Sequence, residues 1–422
     1  MKATKISMML LAAAALYSCT AKQDPKAYLA GNMPSKIAAE VNVAGVKDLH
    51  FIDIDDYDFN EMVAYRLANL GIKDGASCSE VRVGNSVVRN LDWFEYDQAT
   101  YVMRVGHSDK HQASIFVCGM NDDIKHGVTE LNPTSEEANH LCSTTQDGIN
   151  ESGVYIGVNV VPYGQMTRGE GTGDNNYTPE EGVNASKEPL MTSCLTRLIL
   201  DQATDLKSAE ELIKGTAWFD VPYLVKGGFQ THWLVATKEG SFVCEFVDGK
   251  PEFVYAESTD KPGYGTIMTN FSNVLAKEGI IQSHGAGYER FNTLKKNYSV
   301  LTPQELAESV FYSKMYSSDY NDPDYTWTEW VSDQFPAQQL MEWRDNAESR
   351  TGELWDAFFE LYEDCQAKYD WRKFGYDYDR TRGSWFTAHS SIWDIENKTL
   401  TLDIEERGEF AARFSLADGI MK

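Results

Sequence analysis

The chain has 422 residues, a formal charge of −26 and a hydrophobic share of 42%. The length suits one large domain or two smaller ones, and the apolar share supports a packed core. So acidic a surface repels phosphate, which excludes a nucleic-acid backbone as partner.

The N-terminus has the layout of an export signal. Lys2 and Lys5 are followed by an apolar run, Met8 to Leu16, too short to span a bilayer. Leu16-Tyr17-Ser18-Cys19 then resembles a lipobox. The expectation is a signal peptide over 1–18, lipidation at Cys19, and an exported bacterial lipoprotein, periplasmic or at the cell surface. Such a protein meets the membrane only through its lipid anchor. An ordinary secretory signal, with Cys19 incidental, is the competing interpretation. Residues 20–35 are polar and suit a tether. A strand is expected near Leu49–Ile54 and a helix over Phe59–Leu70, whose apolar positions include Met62, Val63 and Leu67. Gly71 is placed to stop it, and the small residues Gly75-Ala76-Ser77 lead into Cys78.

From Cys78 the pattern turns to strands. CSEVRV and SVVRNLDW flank Gly84-Asn85, a two-residue hairpin signal. Further strand runs are ATYVMRV, ASIFVCGM, VYIGVNVV, THWLVAT, SFVCEFV and GYGTIMTN, and their short spacing predicts antiparallel sheets. Helices are expected over Pro189–Thr204, over Ser208–Lys214 and from Thr302, where Thr302, Pro303 and Glu305 spell a capping box. The stretch 316–380, rich in Tyr, Trp, Asp and Glu, reads as an inserted helical lobe. Ser384–Asp394 and Thr399–Glu405 read as a closing hairpin.

The hairpin register places chemistry. With Gly84-Asn85 as the turn, Glu80 faces Arg89, Cys78 faces Leu91 and Ser77 faces Asp92. Side chains alternate with period two, so Cys78 and Arg89 share a face of the sheet. Of the seven cysteines, the others (Cys19, Cys118, Cys142, Cys194, Cys244 and Cys365) form no CxxC pair, which argues against a zinc site. Cys118 and Cys244 lie in apolar runs and read as buried small hydrophobes. Arg89 could instead simply pair with Glu80, and His232 reads as a structural strand residue. His107 and His111 sit in a polar stretch that does not suggest a metal site.

Cys78 followed by Arg89-Asn90-Leu91-Asp92-Trp93 resembles the opening of the choloylglycine hydrolase family, which contains bile salt hydrolases and penicillin V acylases, with acid ceramidase-type amidases as relatives. DGINESG leading to a strand with Asn159, the THWLVATKEGSFVCEF segment, Met268-Thr269-Asn270 and Gly287-Tyr288-Glu289-Arg290-Phe291 follow in family order. Two departures are a short Cys78-to-Arg89 spacing and Phe271 where a proline is common. The resemblance implies an α+β fold, the αββα sandwich of N-terminal nucleophile hydrolases: two antiparallel sheets between helices. It implies cleavage of the Ser77–Cys78 bond, leaving residues 19–77 as a propeptide or small subunit and 78–422 as the amidase domain. Cys78 would be the nucleophile and its own α-amine the base. Arg89 would stabilise the thiolate, Asp92 would orient the α-amine, Asn159 and Asn270 would donate to the oxyanion, and Arg290 would hold the site electrostatically. Asn159 reads equally well as a turn former at a strand end. The substrate would be a small-molecule N-acyl amide, with no cofactor and no metal. A retained 19–77 fragment and a homo-oligomer both stay open. So do two other functions: a lipid-anchored ligand-binding protein without catalysis, and a cysteine peptidase of the same superfamily.

Overall fold

The structure is a computed structural model. It describes residues 49–68, 77–93, 100–118, 141–161, 166–168, 175–179, 189–220, 229, 231–280, 286–311, 351–352, 355–356, 386–404 and 408–421. The signal, Cys19, the 20–35 tether, Gly71, Gly75 and nearly all of the 316–380 lobe lie outside these residues.

Two large sheets carry the fold. The first has eight strands in the order β1-β4-β5-β6-β7-β11-β12-β13. Its members are β1 (Leu49–Ile54), β4 (Thr100–Val105), β5 (Ser114–Cys118), β6 (Thr145–Asn150), β7 (Tyr155–Val160), β11 (Thr231–Thr237), β12 (Gly240–Val247) and β13 (Lys250–Tyr255). The second has seven strands in the order β14-β2-β3-β15-β16-β17-β18. These are β14 (Ile267–Met268), β2 (Ser77–Val83), β3 (Ser86–Trp93), β15 (Phe386–Asp394), β16 (Thr399–Ile404), β17 (Ala412–Ser415) and β18 (Gly419–Ile420). Three two-residue strands, β8 (Asn176–Tyr177), β9 (Leu190–Met191) and β10 (Trp218–Phe219), form a small third sheet.

Three hydrophobic clusters separate four layers. Alternation along the strands assigns side chains to them: Trp233 and Val235 of β11 point outward, while Leu234 and Ala236 point between the sheets. β12 divides likewise, with Phe242, Cys244 and Phe246 outward and Val243 inward. Strands buried on both faces read as continuous apolar runs, which is how these segments look in sequence. On the outer face of the first sheet lie α1 (Phe59–Ala68), α2 (Leu195–Gln202) and α3 (Leu206–Lys214), through Met62, Leu198, Ile199 and Ile213. Trp393, Leu400, Leu402 and Phe414 of the second sheet meet Phe51, Ile115, Val117 and Leu234 of the first. α5 (Ala286–Asn297) and α6 (Pro303–Ser309) cover the far face of the second sheet, through Phe291, Leu294 and Leu306 against Val81 and Val88. A short helix, α4 (Asn273–Lys277), follows β14. The molecule is thus α+β, with two largely antiparallel sheets between helices.

Some elements depart from the sequence expectation. β1 pairs parallel with β4, from Leu49 opposite Thr100 to Ile54 opposite Val105. Pro189–Thr204 is not one helix. It opens as β9, passes through a 3-10 turn at Thr192–Cys194 and becomes helical at Leu195. The GYGTIMTN run supplies only the two residues of β14.

The segment before Cys78 belongs to the same layers as the segment after it. Leu49 and Phe51 enter the core between the sheets. Ile52, Ile54, Tyr57 and Met62 enter the outer core. Tyr57 donates to Asp201, and the Arg197 guanidinium lies 5.4 Å from its ring centre. Each buried apolar side chain of this size costs about 1.5–3 kcal/mol to return to water.

Candidate active site

The β2–β3 hairpin sets the site, and its register is the one the turn predicts: Ser77 opposite Asp92, Cys78 opposite Leu91, Glu80 opposite Arg89. Gly84, at φ 57°, opens the turn in the left-handed region that a two-residue hairpin loop requires. Cys78, Glu80 and Arg89 face the first sheet. Asn90 and Asp92 face the helices, where Asn90 donates to Ala307 O at 3.0 Å.

Cys78 is held at two atoms. The ladder between β2 and β14 runs only from Val81–Ile267 to Glu80–Met268. Beyond it a side chain replaces the backbone: Cys78 N donates to Asn270 Oδ1 at 2.9 Å. The orientation of that amide is fixed by its partners. Arg290 Nη2 also donates to Oδ1, and Asn270 Nδ2 donates to Val160 O at 2.7 Å. Arg290 Nη1 donates to Asp92 Oδ2 at 2.7 Å, and Thr387 Oγ1 donates to Asp92 Oδ1 at 2.8 Å.

Two features bring this group together. A Cβ on Gly287 would stand 2.9 Å from Asn270 N, so only glycine lets α5 approach this backbone. Arg290 follows three residues later, on the same helix face. His232, on β11, faces acceptors with both ring nitrogens: Glu245 Oε1 at 2.9 Å and Thr269 O at 2.7 Å. Glu245 accepts in turn from Asn273 N and Val274 N at the start of α4. His232 thereby pins the turn that carries Asn270.

The sulfur side is a buried charge cluster. Arg89 Nη2 lies 3.7 Å from Cys78 Sγ and donates to Val158 O at 3.0 Å. Arg89 Nε donates to Glu80 Oε1 at 3.1 Å. Arg89 Nη1 faces Asp147 Oδ1 and Gln146 Oε1, each at 3.4 Å, and His389 Nε2 at 3.5 Å. Because a guanidinium only donates, His389 Nε2 is the acceptor. Asp147 Oδ2 takes 2.6 Å bonds from Ser391 Oγ and Trp393 Nε1. Glu80 Oε2 takes one from Tyr155 OH at 3.2 Å.

Burial dominates the acid–base balance. It pushes the Cys78 thiol up to about 12; Arg89 and Arg290 pull it down, and Asp92 and Glu80 push it up. Burial raises Glu80 to about 8 against the pull of Arg89. Burial and then Arg89 lower His389 to about 3, so this ring is neutral. Burial also acts to lower Arg89, but Asp147, Cys78 and Glu80 outweigh it and Arg89 ends above its usual range. Cys78 is therefore a protonated thiol, 1% exposed.

All six candidate site residues lie among the described residues. Cys78, Arg89, Asp92, Asn270 and Arg290 join in one network. Asn159 stands beside it on β7, donating from Nδ2 to Met268 O at 3.3 Å, with its buried Oδ1 lacking a partner among the described residues. The sequence reading did not single out Asp147, Tyr155, Gln146 or His389. Asp147 opens the DGINESG motif on β6, whose sequence TQDGIN is mostly polar, and that motif was the available signal for it. His107 and His111 go to separate acids, Glu151 and Asp56. Cys118 and Cys244 are buried in the outer core.

Solved structures give the fold company. A mutant of conjugated bile acid hydrolase from Clostridium perfringens matches with a TM-score of 0.38 and 12% identity, over 78% of this chain and 89% of that one. Another variant of that enzyme matches with a TM-score of 0.36 and 11% identity, over the same shares. Penicillin V acylase from Agrobacterium tumefaciens matches with a TM-score of 0.33 and 12% identity, over 78% of this chain and 82% of that one. These are choloylglycine-family hydrolases, the family the motifs resemble. No protein-family model matches the chain, and no curated protein matches it.

Proposed function

We propose that the chain is an amide hydrolase in which Cys78 becomes the N-terminal nucleophile by self-cleavage after Ser77. The observation that carries this is the double hold on Cys78: Asn270 Oδ1 on its nitrogen and Arg89 on its sulfur, both buried. A structural cysteine needs neither. In maturation the thiol sulfur attacks the Ser77 carbonyl carbon, and the C–N bond to Cys78 breaks as its nitrogen takes up the proton. Water then hydrolyses the thioester, freeing the thiol and a Ser77 carboxylate.

The new α-amine, with an ordinary pKa of about 7.7–8.0, can take the thiol proton and later deliver it to a leaving amine. Asn270 Oδ1 would hold that amine, and Arg290 with Asp92 would hold Asn270. Arg89 would favour the thiolate. Asn159, whose NH2 gives one N–H to Met268 O, would offer the other to the oxyanion; losing one such donor typically costs about 10²–10³ in turnover. Substrates would be N-acyl amides with an apolar acyl group, such as bile acid conjugates, penicillin V, N-acyl amino acids or fatty amides. Lipidation of Cys19 would place the enzyme on a bacterial membrane surface.

A second reading has its own support. In the uncut chain the thiol is buried and protonated, as suits a ligand-binding protein of this fold without catalysis. Intact-mass analysis separates the two. The enzyme requires a chain beginning at Cys78, its absence in Cys78→Ala, and loss of turnover on an N-acyl amide panel in that variant. An active, uncut polypeptide would refute the nucleophile assignment.

A further inference from the structure

Arg89 meets two carboxylates, and they are not equivalent. Asp147 is fixed as a counter-ion: besides Arg89 it accepts two 2.6 Å bonds, from Ser391 and Trp393. Among the described residues Glu80 has only Arg89 and a 3.2 Å bond from Tyr155, in a fully buried position. The backbone of β7 presses close on it. A Cβ on Gly157 would lie 2.5 Å from Glu80 Oε2 and 2.7 Å from Oε1, which leaves no room there for water. A carboxylate so poorly solvated is the member of the pair that takes a proton.

Charge counting then links Glu80 to the sulfur two residues before it. With Glu80 ionised, Arg89 already faces two anions, and a Cys78 thiolate would be the third in a sealed space. With Glu80 protonated, Asp147 alone balances Arg89, and the guanidinium is left to the sulfur it touches. The other groups around Glu80 do not compensate. β3 contributes Arg89 itself, β6 contributes Asp147, β7 contributes the Tyr155 hydroxyl, and β14 sets Met268 opposite. His389 of β15 reaches only the far side of Arg89 and stays neutral.

We propose that Glu80 is a positioning residue that governs Arg89: protonated, it yields the guanidinium to the Cys78 sulfur, and ionised, it competes for it. This rests on Cys78 being the nucleophile. It makes the Glu80 carboxyl and the Cys78 thiol a coupled pair, in which ionising one raises the pKa of the other. Glu80, raised by burial to about 8, then changes charge across mildly alkaline pH.

The test is the rate of Cys78 alkylation by iodoacetamide against pH, on the purified full-length product, with the modified peptide located by mass. Glu80→Gln keeps the shape and fixes the neutral state. The two proteins should react alike near pH ~6.5, and above pH ~8.5 the wild type should lag by about tenfold for each pKa unit of coupling. A Glu80→Gln rate lowered by one constant factor at every pH would assign Glu80 a purely structural role and overturn the proposal. A second measurement needs neither cleavage nor the variant. Infrared spectra of wild-type protein labelled with 13C-glutamate should show a protonated carboxyl that titrates away near pH 8. Its absence at lower pH would overturn the proposal even if Cys78 proved a nucleophile. Its presence in an uncut, unreactive chain would uphold the buried acid while sinking the enzymatic assignment.

Discussion

Two residues of the buried cluster make predictions of opposite kind. Gly157 has no side chain because Glu80 and Tyr155 occupy the place of one; a Cβ would stand 2.5 Å from the Tyr155 hydroxyl as well as from Glu80. Gly157→Ala should destabilise by about 1–3 kcal/mol through overpacking and disturb the Glu80–Arg89 pair. Denaturant unfolding measures the first, and the alkylation profile measures the second. His389 acts through titration. Its folded-state pKa, about 3, lies below its ordinary value. Its contribution to stability is therefore complete above pH ~6.5 and is lost as pH falls through ~3, because only the unfolded chain takes up the proton. Glu80 has the reverse sign: its pKa is raised, so its contribution is lost as pH rises from ~4.5 through ~8. Replacing His389 with Gln should flatten the acid side of the stability profile while leaving the alkaline side unchanged. An unaltered acid limb would show that the ring is not held neutral.

Elements governed by local rules were legible in the sequence. The two-residue turn at Gly84-Asn85 fixed the whole β2–β3 register, because period-two alternation leaves no freedom once the turn is placed. The Thr302 capping box forms as expected, with Thr302 Oγ1 accepting from Glu305 N at 3.3 Å and Glu305 Oε2 accepting from Thr302 N at 2.9 Å. What was illegible depends on distant partners. Asn270 is a turn residue by its neighbours; only β2, packed alongside, makes its oxygen the acceptor for Cys78. Glu80 reads as an ordinary cross-strand partner of Arg89 until β7 seals it. Pro189–Thr204 has an apolar periodicity that suits a helix throughout, but Leu190 and Met191 pair with Trp218 and Phe219 instead. The pairing of β1 beside β4, 51 positions apart in register, also had no local signature. At this scale α5 offers a test. Gly287→Ala should push the helix off the Asn270 backbone, so that Arg290 loses Asn270. Activity should fall by more than stability does, and Gly287→Ser should do the same.

For the molecule as a whole, cleavage after Ser77 would not divide the fold where it divides the chain. β1 completes the edge of the eight-stranded sheet, and its side chains enter both cores that the sheet borders. Arg104 of β4 is paired with Asp53, His111 with Asp56 at 2.6 Å, and Asp201 with Tyr57. Removing the fragment would leave Asp201, 4% exposed, and Arg197, fully buried, short of a partner they share with the core. It would also uncover an edge strand, β4, whose Tyr101, Met103 and Val105 lie beneath it. We therefore expect the fragment that includes residues 49–68 to stay with the body after the cut as a structural subunit. An anchor on that fragment would hold the catalytic part without a covalent link. After maturation both pieces should co-elute in native buffer and part only in denaturant, in a single transition shared by probes on each piece. Tyr57→Phe should lower that transition by about 1 kcal/mol, the usual net worth of a hydrogen bond, or by more if Asp201 finds no other partner. Separation of the pieces in native buffer, with the body still folded, would mean that β1 and α1 are accessories to a fold that stands without them.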